Sequence, residues 1–157
     1  MRSVIVISGC IIVIASFIYK KSYKPKTKND YMKVLEMHLV GKRWKRAIDL
    51  ALEILDKFTL DTEEMITVLF TISNSYYKLK EYELAVNYYE KTFEKLFSYE
   101  KKFHYAEGLV WTIDCLIKLG RNTDAKSLYN KIVNEIEDKK EIKRLNIFAK
   151  NNNLIAE

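Results

Sequence analysis

Chemistry at neutral pH is most readily built from histidine, cysteine and paired carboxylates, and the chain has two His and two Cys. His38 and His104 lie 66 residues apart in different parts of the chain. Cys115 has no His close to it in sequence, and its spacing from Cys10 is not that of a metal-ligand pair. Asp61 and Glu64 read as charges at the start of a helix, where the free backbone N–H groups favour acids. No Gly-rich phosphate loop, HExxH, GxSxG or EF-hand pattern occurs. The expectation is a protein that is not an enzyme, with no catalytic residue, no metal, no cofactor and no small-molecule substrate. One cluster remains: Lys42, Arg43, Lys45 and Arg46 around Trp44. Cations beside an aromatic ring suit nucleic-acid recognition. The same residues also suit a solvated turn that complements the end of the preceding helix, or a face turned to a bilayer.

The overall charge decides between these less than it first suggests. The formal net charge is +6 and the sequence pI is 9.1. Six of the 27 Lys and Arg residues, however, lie in the first 28 positions, which hold no acid. The rest of the chain has 21 basic residues against 21 acidic ones. A duplex-binding domain carries its surplus on its own folded face, so nucleic acid is not an expected partner.

The basic residues of the tail flank an uncharged stretch of sixteen residues, Val4 to Tyr19, VIVISGCIIVIASFIY. As a helix it would reach roughly 24 Å, somewhat under the ~30 Å hydrocarbon thickness of a bilayer. Bilayer thinning and snorkelling by Lys20 and Lys21 could supply the difference. Residues 1–19 are therefore expected to be a single-pass transmembrane anchor and residues 20–29 a basic juxtamembrane linker. Lys20, Lys21, Lys24, Lys26 and Lys28 would lie on the membrane surface. By the positive-inside rule these lysines place the domain beyond them in the cytoplasm. Three alternatives stand beside the anchor, one of them a buried core helix, although a terminal segment with no polar face is hard to cover within so small a domain. Ile7-Ser8-Gly9-Cys10 is similar to a bacterial lipoprotein box, which would lipidate Cys10 and place the domain outside the cytoplasm. A cleaved signal peptide fits less well, because Ala15-Ser16-Phe17 lacks the small-residue cleavage pattern.

From Asp30 onward the apolar period is helical. Helices are predicted near 30–40, 43–57, 62–79, 82–98, 103–119, 122–136 and 139–150, with Asp61 as an N-cap and Gly41 and Gly120 as helix stops. The helices pair, and the pairs repeat. Ala47, Ala85 and Ala125 align, with Trp44, Tyr82 and Asn122 three residues before. Ala51, Tyr89 and Tyr129 follow four residues after, and Ile54, Thr92 and Ile132 seven after. His38, Tyr76 and Leu116 stand nine residues before the Ala. A small residue lets two helix backbones approach, and an aromatic one turn later fills the adjoining groove.

These residues resemble the tetratricopeptide repeat over about residues 30–137. Tyr76, Tyr82, Ala85 and Tyr89 carry the likeness best. The spacings of 38 and 40 residues exceed the family's 34, no repeat ends in Pro, and Asn122 stands where an aromatic is expected. The fold class so implied is all-α, with about three degenerate antiparallel helix-hairpin pairs. A C-terminal capping helix would carry Ile142, Leu145 and Phe148 on its apolar stripe, making 30–157 the repeat domain after the anchor.

The resemblance implies a concave groove lined by the first helix of each pair. Its positions in this chain are Met32, Glu36, Thr67, Phe70, Asn74, Tyr77, Glu107, Val110, Trp111 and Asp114. Of these, Glu36, Phe70, Asn74, Tyr77, Glu107, Trp111 and Asp114 are the candidate partner-binding residues. The Lys, Asn and Arg clamp with which co-chaperone members hold a C-terminal carboxylate is missing, since Met32, Glu36, Thr71, Glu107 and Trp111 stand there. Aromatic residues rimmed by acids would favour an apolar or basic peptide. The expected function is thus a membrane-tethered, non-catalytic adaptor or scaffold for a protein or peptide partner, in contact with the lipid bilayer through residues 4–19. An import or assembly receptor and a peptide-sensing signalling protein are the alternatives within the same architecture.

Overall fold

The computed structural model describes residues 25–98, 106–135 and 139–155. Among them every regular element is an α-helix, and there are seven: α1 (Lys28–Val40), α2 (Trp44–Lys57), α3 (Thr62–Lys78), α4 (Tyr82–Phe97), α5 (Ala106–Lys118), α6 (Asn122–Glu135) and α7 (Lys139–Asn151). No helix among the described residues is long and apolar enough to cross a membrane. The expected anchor at residues 4–19, the lipidation candidate Cys10, and Lys20, Lys21 and Lys24 lie outside the described residues.

The chain divides into two units, Met1–Val34 and Leu35–Glu157. The described part of the first is short and begins α1. Thr27 Oγ1 accepts the Asp30 N–H at 3.2 Å, and Asp30 Oδ2 accepts the Thr27 N–H at 3.0 Å. This reciprocal capping box satisfies two helix-start donors and starts α1 at Lys28, two residues before the position expected from apolar periodicity. Lys28 is therefore helical, and Lys26 precedes the cap.

The second unit is a stack of helix hairpins. α2, α4 and α6 each pack on helices adjacent in sequence, whereas α3 also packs on α5, and α5 on α7. This alternation is what a helical repeat requires: one helix of each pair meets its counterpart in the next. The aligned small residues make the contact possible. Ala47, Ala85 and Ala125 have no exposed surface, and neither do Ala51, Tyr89, Ile54 and Thr92 at the following aligned positions. Around them Ile72, Ile113 and Leu145 are fully enclosed, each contributing about 1.5–3 kcal/mol relative to exposure. The buried hydroxyls of Ser73, Thr92 and Thr112 bond the carbonyl four residues back in their own helices. They therefore add little cost to the core.

One turn recurs at the end of four helices. The N–H groups of Arg43, Glu81, Arg121 and Leu154 donate to the carbonyls of His38, Tyr76, Leu116 and Ala149, five residues back, at 2.8–3.0 Å. The residue before each donor is left-handed: Lys42 at φ 53°, Lys80 at 63°, Gly120 at 73° and Asn153 at 56°. This is the Schellman stop, which satisfies the last carbonyls of the helix. The fourth instance changes the standing of α7. The expected capping helix packs on α5 and α6. It also leaves by the same turn as α1, α3 and α5, so it has the geometry of a first helix of a pair.

Candidate functional site

α3 and α5 approach closely at a residue with no side chain. A Cβ on Gly108 would stand 1.8 Å from Cζ of Phe70, so only glycine leaves room for that ring between the two helices. Phe70 in turn meets Tyr89 edge-on, with centroids 5.8 Å apart and planes at 74°. The Tyr89 hydroxyl donates to Asn74 Oδ1 at 2.5 Å, joining α4 to α3. Tyr129 does the same between α6 and α7, donating to Asn146 Oδ1 at 2.7 Å. Phe70 and Asn74, both candidate groove residues, are thus engaged in holding helices together.

Closer to the C-terminal end of α3 the seam carries a half-exposed aromatic cluster. Tyr77 stacks on Trp111 with centroids 5.5 Å apart and planes 9° from parallel. Tyr82, at the start of α4, leans on Tyr77 at 6.2 Å. The Tyr77 hydroxyl donates to Asp114 Oδ2 at 2.9 Å, and Lys118 Nζ reaches the same carboxylate at 2.8 Å. Lys78 Nζ lies 4.5 Å over the Trp111 ring and 5.5 Å from that of Tyr77, which is cation–π range. Lys118 Nζ is 5.7 Å from the Tyr82 ring. Burial and the bond to Asp114 push the Tyr77 phenol well above its ordinary range, and the same carboxylate raises the Lys118 ammonium. Both shifts move Tyr77 and Lys118 away from neutrality.

Of the seven candidate partner-binding residues, Tyr77, Trp111 and Asp114 come together here. Glu36 is exposed on α1, and the Glu107 side chain lies outside the described residues. Lys78, Lys118 and Tyr82 complete the cluster and are not among the candidates. Lys118 is within reach of sequence reasoning, because a cation four residues after an acid on a helix pairs with it. Lys78 over Trp111 becomes visible only with the α3–α5 packing itself.

The second charged feature is the α1–α2 turn. Lys42, Arg43, Lys45 and Arg46 are exposed, and with half-buried Trp44 and Leu79 they line an open groove of about 570 Å³. Beside them Met37 and Val40 hold 53% and 79% of their surface in solvent. Arg43, the N-cap of α2, makes no side-chain capping bond, and the first turn of α2 contains no acid. His38, at the edge of the cluster, is held below its ordinary pKa first by burial and then by Arg43 and Arg46. Its Nδ1 is buried without a hydrogen-bond partner among the described residues.

Among the described residues no group of three or more His, Cys, Asp or Glu is placed to hold a metal ion. Cys115 has no exposed surface, and burial, with Asp114 beside it, pushes its thiol up to about 12. It is a neutral core side chain at physiological pH. No protein-family model matches the chain, and no curated protein matches it.

Proposed function

We propose that the protein is a membrane-tethered, tetratricopeptide-like adaptor that captures a peptide or protein segment on the face shared by α3 and α5, without catalysis. The tether is the apolar stretch of residues 4–19 with its lysine flank. The observation that carries the binding reading is the Tyr77–Trp111 stack. It is a rigid, half-exposed aromatic platform held by Asp114 and edged by Lys78 and Lys118. Preformed aromatic surface binds at low entropic cost. Because Asp114 is already engaged by Tyr77 and Lys118, the rim offers cations more than free acids. The favoured partner is an apolar or aromatic side chain beside a carboxylate, instead of the basic peptide that the acidic residues alone suggest. Confinement to a membrane would raise the effective concentration of a partner located there.

The test uses full-length protein in detergent micelles, titrated with short peptides carrying an aromatic residue next to either Glu or Lys and followed by tryptophan fluorescence. The Glu peptides are expected to bind more tightly, and Lys78→Glu is expected to invert the preference while leaving the helical circular dichroism intact. Equal affinity for both peptides, unchanged in Lys78→Glu and in Trp111→Ala, defeats the assignment of this face. Loss of helical signal in Trp111→Ala alone would mark that ring as core.

A further inference from the structure

The four cations of the α1–α2 turn stand together without an ion pair to a described residue. Elsewhere pairs form readily: Glu53 with Lys57, Asp114 with Lys118, and Asp124 with Arg121. Lys42, Arg43, Lys45 and Arg46 form no ion pair within 4 Å of a described residue, and the nearest acids in sequence, Glu36 and Asp49, lie outside the cluster. Like charges held this close repel, so the arrangement favours an anionic surface placed against it. The first turn of α2 adds its free N–H groups to the same side, with no acid or side-chain cap to occupy them.

The uncovered apolar residues say which kind of anion. Val40 and Met37, the most and second most exposed of the large apolar side chains described, stand immediately before the cations. They offer nothing to a free phosphate or to a nucleic-acid backbone. Trp44, the one ring in the cluster, is half-buried in the groove wall with Leu79 and is not a platform on which successive bases could stack. Cations flanking exposed aliphatic side chains are the pattern of a protein surface that sits in the headgroup layer.

We infer that the α1–α2 turn is a second membrane contact, in which Lys42, Arg43, Lys45 and Arg46 engage anionic lipid headgroups while Met37 and Val40 enter the interfacial layer. This rests on the proposed membrane tether. It also lies within reach of that tether along the chain. Residues 20–27 span at most about 27 Å, and the thirteen residues of α1 add about 20 Å.

The experiment separates the two readings. Full-length protein is first floated with vesicles of phosphatidylcholine alone; failure to float defeats the tether, and the response of Trp44 to lipid is then scored independently of it. The protein is next placed with phosphatidylcholine bilayers and with bilayers that also contain phosphatidylserine, both carrying brominated acyl chains. The Trp44 signal is obtained as wild type minus Trp44→Phe. Quenching and a blue shift of Trp44 are expected only with phosphatidylserine, and both are expected to be lost at high salt. For protein that does not float, each cation is worth about fivefold in partitioning. Reversing all four to Glu is expected to abolish the effect, and Val40→Asp to weaken it without changing helical content. Three results overturn the inference: equal Trp44 quenching in both bilayers, quenching that survives reversal of the four cations, or equally strong spectral change with inorganic phosphate or a single-stranded oligonucleotide and no bilayer. If the fourfold variant loses helicity, the salt dependence and Val40→Asp decide.

Discussion

The Tyr77–Trp111 cluster and the α1–α2 turn contain the same ingredients, aromatic rings and lysines or arginines, and treat them in opposite ways. In the cluster the Asp114 charge is answered within the protein, and Lys78 and Lys118 edge the rings. Lys118 binds Asp114, Asp114 also accepts the Tyr77 hydroxyl, and Lys78 lies over the rings. In the turn four cations form no ion pair with a described residue. Charges that are satisfied internally fix the shape of a surface, whereas charges left open determine what can approach it. The first region is built to hold its geometry, and the second to retain its field.

Mutations can break that contrast. The largest effect is expected from Asp114→Ala, which leaves the half-buried Tyr77 hydroxyl without its acceptor. It should lower unfolding stability by about 1–3 kcal/mol, measured by denaturant titration at neutral pH. Arg46→Ala should stay within about 0.5 kcal/mol of wild type or improve it, because no described residue pairs with that charge. Equal losses for the two variants would erase the distinction. A smaller effect sharpens it. Lys42 occupies a left-handed position at φ 53° where the corresponding turn before α6 has Gly120. Lys42→Gly is therefore expected to raise stability by up to about 1 kcal/mol, through relief of both backbone strain and repulsion; a clear loss would mean that Lys42 has a stabilising partner.

The smallest effect is a slope with pH. Folding holds His38 below its ordinary 6.5, so the unfolded chain binds that proton more tightly. Stability should thus be complete above pH 6.5 and decline as pH falls through the lower folded value. His38→Asn should flatten that part of the thermal-melting profile. Anionic vesicles should flatten it as well if headgroups offset the field of Arg43 and Arg46. The Tyr77 cluster should show no such slope, because its phenol titrates far above neutrality.

Much of the scaffold is legible in the sequence because local rules and burial agree. Asp61 is the N-cap expected, Glu64 joins it in a capping box with bonds of 2.8 and 3.0 Å, and α3 begins at Thr62 as expected. Ala47, Ala85 and Ala125 are fully buried, because a small residue recurring at fixed places between longer apolar ones has few other uses. The start of α1 escapes sequence reasoning because the Thr27–Asp30 pair is embedded in a run of lysines that reads as linker. The site is less legible. Glu36, Asn74 and Asp114 look alike in the sequence as polar groove residues. Their difference lies in contacts across the stack, such as the Tyr77–Asp114 bond that joins residues 37 apart. The role of Gly108 is equally hidden, since a mid-helix glycine is recognisable as a close approach only once Phe70 is seen against it.

The recurring Schellman turn has a consequence for how such a chain tolerates change. Its left-handed residues fall at 42, 80, 120 and 153, at unequal intervals, yet the hydrogen bonds around each are the same. The differences in length are therefore taken up between the turns. These turns behave as a set of identical hinge pins, and the helices and connections between them carry the differences in length. Insertions or tags belong away from these turns, near Thr59 and Leu60 for instance. A single residue added between Leu79 and Glu81 would rotate every helix beyond it.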